Sequence, residues 1–296
     1  MLKPIVVTLM CLLVAAGTWG WTTRGPQKLD QLDRLWGSNA ARKLGEDIAY
    51  GPGQRQKLDI FVSQNGGTLD DKARPLLVFF YGGSWDSGDK ADYAFAAKAY
   101  ASRGFVVALP DYRLVPEVRF PAFVQDAAAA VAKARAEAPH YGADPNNIVL
   151  VGHSAGGHSA LMLALDPQWL KAAGVPAETI KGVAALAAPT DFYPFVKGGA
   201  AEAALDGPNP ELTQPLHFAR ADAPPLWLAT GSDDDTVKPR NSEVLAAAQT
   251  KLGAVAILKQ YAGLDHTDPL MALARPFAYK APVLDDSIAF LRKQVE

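Results

Sequence analysis

Cysteine is almost missing: Cys11 stands alone among 296 residues. That excludes an intramolecular disulfide, so the core must hold without staples, which a chain of this length can do. An excess of charge of one sign is missing too. The 29 basic and 31 acidic residues leave a formal charge of −2, with no basic block, so nothing recommends a nucleic-acid partner. Internal repeats and low-complexity segments are absent, which leaves one large α/β domain as the expected organisation.

What is present begins with an apolar N-terminal segment. One lysine (Lys3) precedes an apolar run over residues 5–16, with small residues at Ala15, Ala16 and Gly17. This is the layout of a secretory signal, cleaved at Gly17 or Gly20, and it implies export to a periplasm or medium. Left uncleaved, the segment would tether the chain to a membrane, because apolar character runs on through Trp19 and Trp21. A buried N-terminal helix is the bland alternative, and Met10 before Cys11 argues against a lipoprotein signal.

The most informative stretch is Val149-Leu150-Val151-Gly152-His153-Ser154-Ala155-Gly156-Gly157. It reads as a buried strand, a glycine-flanked turn with one serine, and a small-residue helix. In a G-x-S-x-G elbow the serine sits in a strained conformation that lifts its hydroxyl clear of the sheet. Side chains at Gly152 or Gly156 would collide across such a turn. The N–H of Ala155, at a helix N-terminus, would point where an oxyanion forms. The competing reading is a plain glycine-rich turn. Upstream, the apolar run 76–81 leads into Gly82-Gly83-Ser84-Trp85, where paired glycines leave N–H groups free to donate. Alone, this too would be just a turn.

Strand and helix patterns alternate along the chain. Strands are expected at 56–62, 76–81, 105–109, 181–187, 226–230 and 255–261, besides the elbow strand. Helices are expected at 93–103, 123–138, 242–252 and 285–293, and a turn at Asn65-Gly66-Gly67. The pattern implies a mostly parallel sheet covered on both faces, with right-handed crossovers. Residues 21–50 are polar, with scattered Leu29, Leu32, Leu35 and Trp36, and read as a lead-in helix over part of the site. Residues 193–223 show no strand pattern and read as a lid.

Sites in such sheets lie beyond the carboxyl ends of the strands. Ser154, the loop Asp233-Asp234-Asp235 and His266 each follow a strand end, in the chain order Ser, Asp, His. His266 would take the serine proton, and a carboxylate would hold its ring in the useful tautomer. Asp234 is favoured by spacing, three residues past Gly231, with Asp233 and Asp235 as solvated or capping neighbours. The other histidines are weaker candidates. His153 is expected to point away from the oxyanion side, and His158 reads as a core histidine. His140 follows Pro139, and His217 falls in the lid. A metal site from His153 and His158 lacks a third ligand at a supporting spacing.

With these residues in view, the chain resembles the α/β-hydrolase carboxylesterases, near the hormone-sensitive-lipase-like, bacterial feruloyl-esterase-like and kynurenine-formamidase-like branches. The resemblance runs from about residue 50 onward. It rests on Gly-His-Ser-Ala-Gly-Gly and on Gly82-Gly83-Ser84-Trp85 against a family His-Gly-Gly-x-Trp. It rests also on Asp111-Tyr112-Arg113-Leu114 with Pro116-Glu117 and Phe120-Pro121, on Gly231, Asp234 and Val237, and on Gly263 before His266. It implies an ester hydrolase of the serine type, with an arylformamidase or other amide hydrolase as the alternative, and a non-catalytic binding protein as the alternative of another class. Ser154, Asp234 and His266 would be catalytic, and Gly82, Gly83, Ser84 and Ala155 would form the oxyanion hole. Read from the residues themselves, Trp85, Phe192, Tyr193 and Phe195 are candidates to line an aromatic or acyl pocket, with core or lid packing as the competing reading. Asp111 and Arg113 would be scaffold. No cofactor and no metal are implied, and the partner would be a small-molecule ester. The chain divides into a signal or anchor (1–20), a lead-in (21–50) and an α/β-hydrolase domain (51–296) with a lid at about 192–223. Two positions depart from the family: Tyr81 replaces a histidine, and Ser84 stands where some branches have a third glycine.

Overall fold

A computed structural model describes residues 25–36, 40–64 and 73–296. The expected N-terminal signal, Cys11 and the turn at 65–67 lie outside these residues. Among those described, no helix is long and apolar enough to cross a membrane.

In chain order the main elements are α1 (Gly25–Leu35), β1 (Ala41–Ala49), β2 (Lys57–Ser63), β3 (Arg74–Phe80), α2 (Ala94–Ala101), β4 (Val106–Pro110), α3 (Ala122–Glu137) and β5 (Ala143–His153). There follow α4 (Ala155–Leu165), α5 (Gln168–Ala172), β6 (Ile180–Leu186), α6 (Ala200–Leu205), β7 (Leu226–Gly231), α7 (Arg240–Lys251), β8 (Ala256–Tyr261), α8 (Asp268–Met271) and α9 (Val283–Val295). The strands form one eight-stranded sheet in the order β1-β2-β4-β3-β5-β6-β7-β8. β2 pairs antiparallel with both β1 and β4, and all other pairings are parallel.

The central strands explain their own sequences. Leu76 to Phe80 and Ile148 to Val151 are wholly buried, as continuous apolar runs must be when both faces of a parallel sheet are covered. Helix α4 is buried at every one of its 11 residues, which is why it shows no polar stripe.

The lead-in expectation needs two corrections. Residues 41–49 form strand β1, hydrogen-bonded to β2, so a boundary at residue 50 cuts through the first hairpin of the sheet. This strand was hidden because it is an edge strand with register shifts and only Ala41 and Gly45 buried, so it lacks apolar alternation. Helix α1 does form, but it packs on α2 and the turns Lys90–Tyr93 and Arg275–Phe277 and lends no residue to the walls around Ser154. There Arg275 donates from its backbone N (3.0 Å) and Nε (3.2 Å) to Asp33 Oδ1. The segment between β6 and β7 carries α6 and two 3₁₀ turns and no strand.

Candidate active site

Ser154 lies between β5 and α4 with φ +52° and ψ −122°, a region costly for a residue with a Cβ. The surroundings hold it there: its N–H donates to Leu186 O at 2.9 Å, and its carbonyl accepts from His158 N–H at 3.0 Å. The glycine requirement is literal at Gly156, where an added Cβ would fall inside the radius of the Phe80 carbonyl oxygen in β3. The turn can therefore pass under β3 only without a side chain.

The loop after β3 is the second strained segment. Gly83, Ser84 and Trp85 all have positive φ (133°, 52° and 61°). Its shape is fixed by bonds to its carbonyls: Gly83 O accepts from Asp86 N (3.1 Å) and Ser87 N (3.0 Å), and Gly82 O from the Tyr93 hydroxyl (3.2 Å). Among the described residues the N–H groups of Gly83, Ser84 and Ala155 have no protein acceptor. Tyr81 anchors the loop from below. Its buried ring stacks on Tyr93 and Tyr112 (centroids at 5.0 and 4.7 Å). Its hydroxyl donates to Asp111 Oδ1 at 2.7 Å and accepts from Arg55 Nη2 at 2.8 Å. Burial pushes this phenol well above its usual range, so it stays a donor. Asp111 thus braces the loop, while Arg113 pairs with Asp126 at 2.7 Å.

The loop after β7 turns on Asp234, whose Oδ1 accepts from Thr236 N (3.0 Å) and Val237 N (2.8 Å). Its Oδ2 is left for His266 Nδ1 at 2.9 Å, and His266 Nε2 lies 3.0 Å from Ser154 Oγ. The Asp234 carboxylate is fully buried; Asp233 and Asp235 are exposed, and the Asp233 carboxylate accepts from the Ser232 hydroxyl. Three loops from three strand ends therefore bring Ser154, His266 and Asp234 into one hydrogen-bonded line, beside the free N–H groups. Such a line can move a proton from Ser154 Oγ to His266 Nε2 while Asp234 stabilises the imidazolium.

A cavity of about 310 Å³ opens on Ser154. Ser84, Trp85, Pro189, Phe192, Phe195, Val196, Ala200, Thr236, Val237 and Asn241 are among its walls, and none of the lining residues carries a charge. Trp85 and Phe192, both in its wall, stack on each other with centroids 6.3 Å apart. Tyr193 corrects an expectation: it is 43% exposed and borders a separate depression with Asp191 and Glu211. Phe192, held by the Gln214 side chain at its N–H (2.8 Å), faces inward, and the next residue faces out. Asn241 was missed because its amide serves the backbone, accepting from Thr190 N (2.8 Å) and Asp191 N (2.9 Å). No spacing rule flags such a residue.

The remaining histidines divide. His158 is buried in α4, its Nε2 bonded to Thr213 O at 2.7 Å. His153 is also buried, but its ring does not point away from the oxyanion side: a Cβ added at Gly82 would lie 2.9 Å from His153 Nδ1. Among the described residues, no group of three potential ligands could hold a metal ion. Burial lowers both histidines to about 4, with the nearby His266 adding to the effect at His153. Both therefore stay neutral in the folded chain while their unfolded counterparts protonate near 6.5. The sign follows: stability is full above pH 6.5 and falls as pH drops toward 4, by up to about 3 kcal/mol per histidine. Urea melts at pH 7 and pH 5 should differ accordingly, with a smaller difference in His158→Gln; equal midpoints would contradict the burial argument.

The strand order, the elbow after β5 and the loops after β7 and β8 define the fold of an α/β-hydrolase. A family model described as BD-FAE matches residues 58–249, and the chain belongs to that family. An isoprenylcysteine alpha-carbonyl methylesterase of Arabidopsis thaliana is 28% identical over 249 residues, 77% of this chain and 57% of that protein. Esterase LipC of Mycobacterium tuberculosis is 35% identical over 126 residues, 41% of this chain and 30% of that protein. The chain thus spans little more than half the length of the first of these relatives and under a third of the second. Kynurenine formamidase of Salmo salar is 23% identical over 240 residues, 78% of each chain. Among solved structures, a truncated carbohydrate esterase from gut microbiota superposes with TM-score 0.74 at 19% identity, covering 88% of this chain and 98% of its own. A butyrate-bound esterase of Thermogutta terrifontis gives 0.69 at 23% identity, covering 86% and 94%. These likenesses establish the fold.

Proposed function

We propose that this chain is a serine hydrolase that cleaves carboxylic esters of short-chain or aryl type through an acyl-enzyme. The observation that carries the reading is the Ser154–His266–Asp234 line, with contacts of 3.0 and 2.9 Å, set beside unpaired N–H groups. Ser154 Oγ attacks the ester carbonyl as its proton passes to His266 Nε2. The carbonyl oxygen, now an oxyanion, is received by the N–H groups of Ala155 and Gly83 with Ser84 assisting, each worth about 3 kcal/mol in the transition state. His266 returns the proton to the departing alkoxide, and a water then releases the acid by the same route in reverse. The uncharged cavity favours neutral acyl groups, and its volume of about 310 Å³ favours small ones. The leader-like composition of residues 1–20 extends the proposal to an enzyme acting after export or at a membrane.

The test is a panel of p-nitrophenyl esters from acetate to octanoate, run beside N-formylkynurenine. Turnover should be highest among the short acyl chains and fall at octanoate. Cleavage of the formamide in preference to every ester would favour the amide-hydrolase alternative, to which the formamidase likeness lends support. No turnover of any would overturn the hydrolase reading.

A further inference from the structure

His153 takes no part in the reaction just described, yet it adjoins the nucleophile, the His266 loop and the oxyanion loop. It directly precedes Ser154 in the chain. Its Nε2 lies 3.0 Å from the backbone carbonyl of His266. Its ring sits 5.1 Å from the His266 ring, tilted by 40°. Gly82 of the oxyanion loop lies flush against it, since a Cβ there would be 2.9 Å from His153 Nδ1 and 3.1 Å from Ser154 Cβ. We propose that His153 is a positioning residue: its Nε2–H tethers the backbone of His266 to the elbow and so sets the Ser154–His266 distance, while its ring supports the oxyanion loop. The proposal rests on the ester-hydrolase reading of this site.

The protonation state follows from the partner. A carbonyl oxygen only accepts, so Nε2 carries the proton. Burial and the neighbouring His266 keep the ring neutral, with Asp234 the carboxylate it faces. Nδ1 is then a bare lone pair, turned toward Gly82 and without a partner among the described residues.

Why a tether is needed follows from topology. His266 is delivered by the loop after β8, and β8 is an edge strand of the sheet. That loop is bonded to the Asp234 loop twice, through Asp233 N to Leu264 O (3.0 Å) and Gly263 N to Ser232 Oγ (2.8 Å). The two loops can therefore keep the Asp234–His266 contact by themselves. Only the His153 bond and the Ser154–His266 contact itself join the His266 backbone or ring to the elbow by hydrogen bonds among the described residues. Loss of the tether should loosen Ser154 against His266 and leave Asp234 against His266 intact. A displacement of about 1 Å at such a contact is worth up to about 10²-fold in rate.

The experiment compares wild type with His153→Leu, His153→Asn and His153→Gln, reading kcat, KM, melting temperature and the acid limb of kcat/KM with p-nitrophenyl acetate. Leu removes the donor, Asn is too short to reach, and Gln can place an N–H near the position of Nε2. The expected result is a 10- to 100-fold loss of kcat in Leu and Asn, with KM within about twofold and the acid limb unmoved. Gln should return kcat to within about threefold of wild type. If Leu fails to fold, the contrast of Asn with Gln at matched melting temperature carries the same information. The proposal is overturned if Leu or Asn keeps full kcat, if Gln is as impaired as Asn, or if the acid limb moves with the loss. An active wild type with indifferent variants sinks the tether alone. A wild type that neither turns over an ester nor reacts at Ser154 sinks the hydrolase reading, and the tether with it.

Discussion

Replacing Ser154 by alanine is expected to lower kcat for a short aryl ester by about 10⁶-fold, the loss seen when the nucleophile of such a relay is removed. The size of the effect comes from the chemistry. Without Oγ no acyl-enzyme can form, and water would have to attack directly, aided only by the N–H groups of Ala155, Gly83 and Ser84. Those groups should leave a residual rate about 10³-fold above the uncatalysed one. The fold should survive, because the backbone of residue 154 is held by Leu186 O and by the first turn of α4, not by the hydroxyl. Melting temperature, measured beside the kinetics, should therefore stay close to wild type. Activity above about 1% in the folded variant would show that another group attacks.

The second large effect separates the three aspartates. Asp234→Asn should cost about 10⁴-fold in kcat, through a change of tautomer. Oδ1 of residue 234 would keep its bonds from Thr236 N and Val237 N, since only an acceptor serves there. The new amide NH₂ must then occupy the place of Oδ2 and face His266 Nδ1. A donor in that position forces Nδ1 to accept, so the ring proton moves to Nε2 and nothing is left to receive the Ser154 proton. Asp233→Asn and Asp235→Asn, both on exposed carboxylates, should stay within about twofold of wild type. A loss at position 233 or 235 comparable to that at 234 would reassign the acid.

Much of this arrangement could be read from the chain because its signals are local. Gly152, Ser154 and Gly156 carry their own geometry, and the apolar runs of β3, β5 and β6 announce strands covered on both faces. The order Ser, Asp, His then matches three loops beyond the carboxyl ends of parallel strands. What escaped depends on contacts far apart in sequence. Strand β1 is mostly exposed and gains its conformation from pairing with β2, so it has no pattern of its own. Tyr193 and Phe192 are both aromatic, and what turns Phe192 to the cavity is distant in sequence: the ring stack on Trp85 and the Gln214 bond at its N–H. The direction of the His153 ring is set by the His266 carbonyl, 113 residues away. Ser84 and Trp85 have positive φ, which neither residue type advertises.

In the proposed function Ser154 is a nucleophile activated by His266. Intact mass and peptide mapping after treatment with a fluorophosphonate test it most directly, comparing wild type with Ser154→Ala and His266→Ala. One adduct is expected, on the peptide that contains Ser154, absent in Ser154→Ala and formed far more slowly in His266→Ala. A folded wild type that takes up no label, or a label that persists in Ser154→Ala, would contradict it.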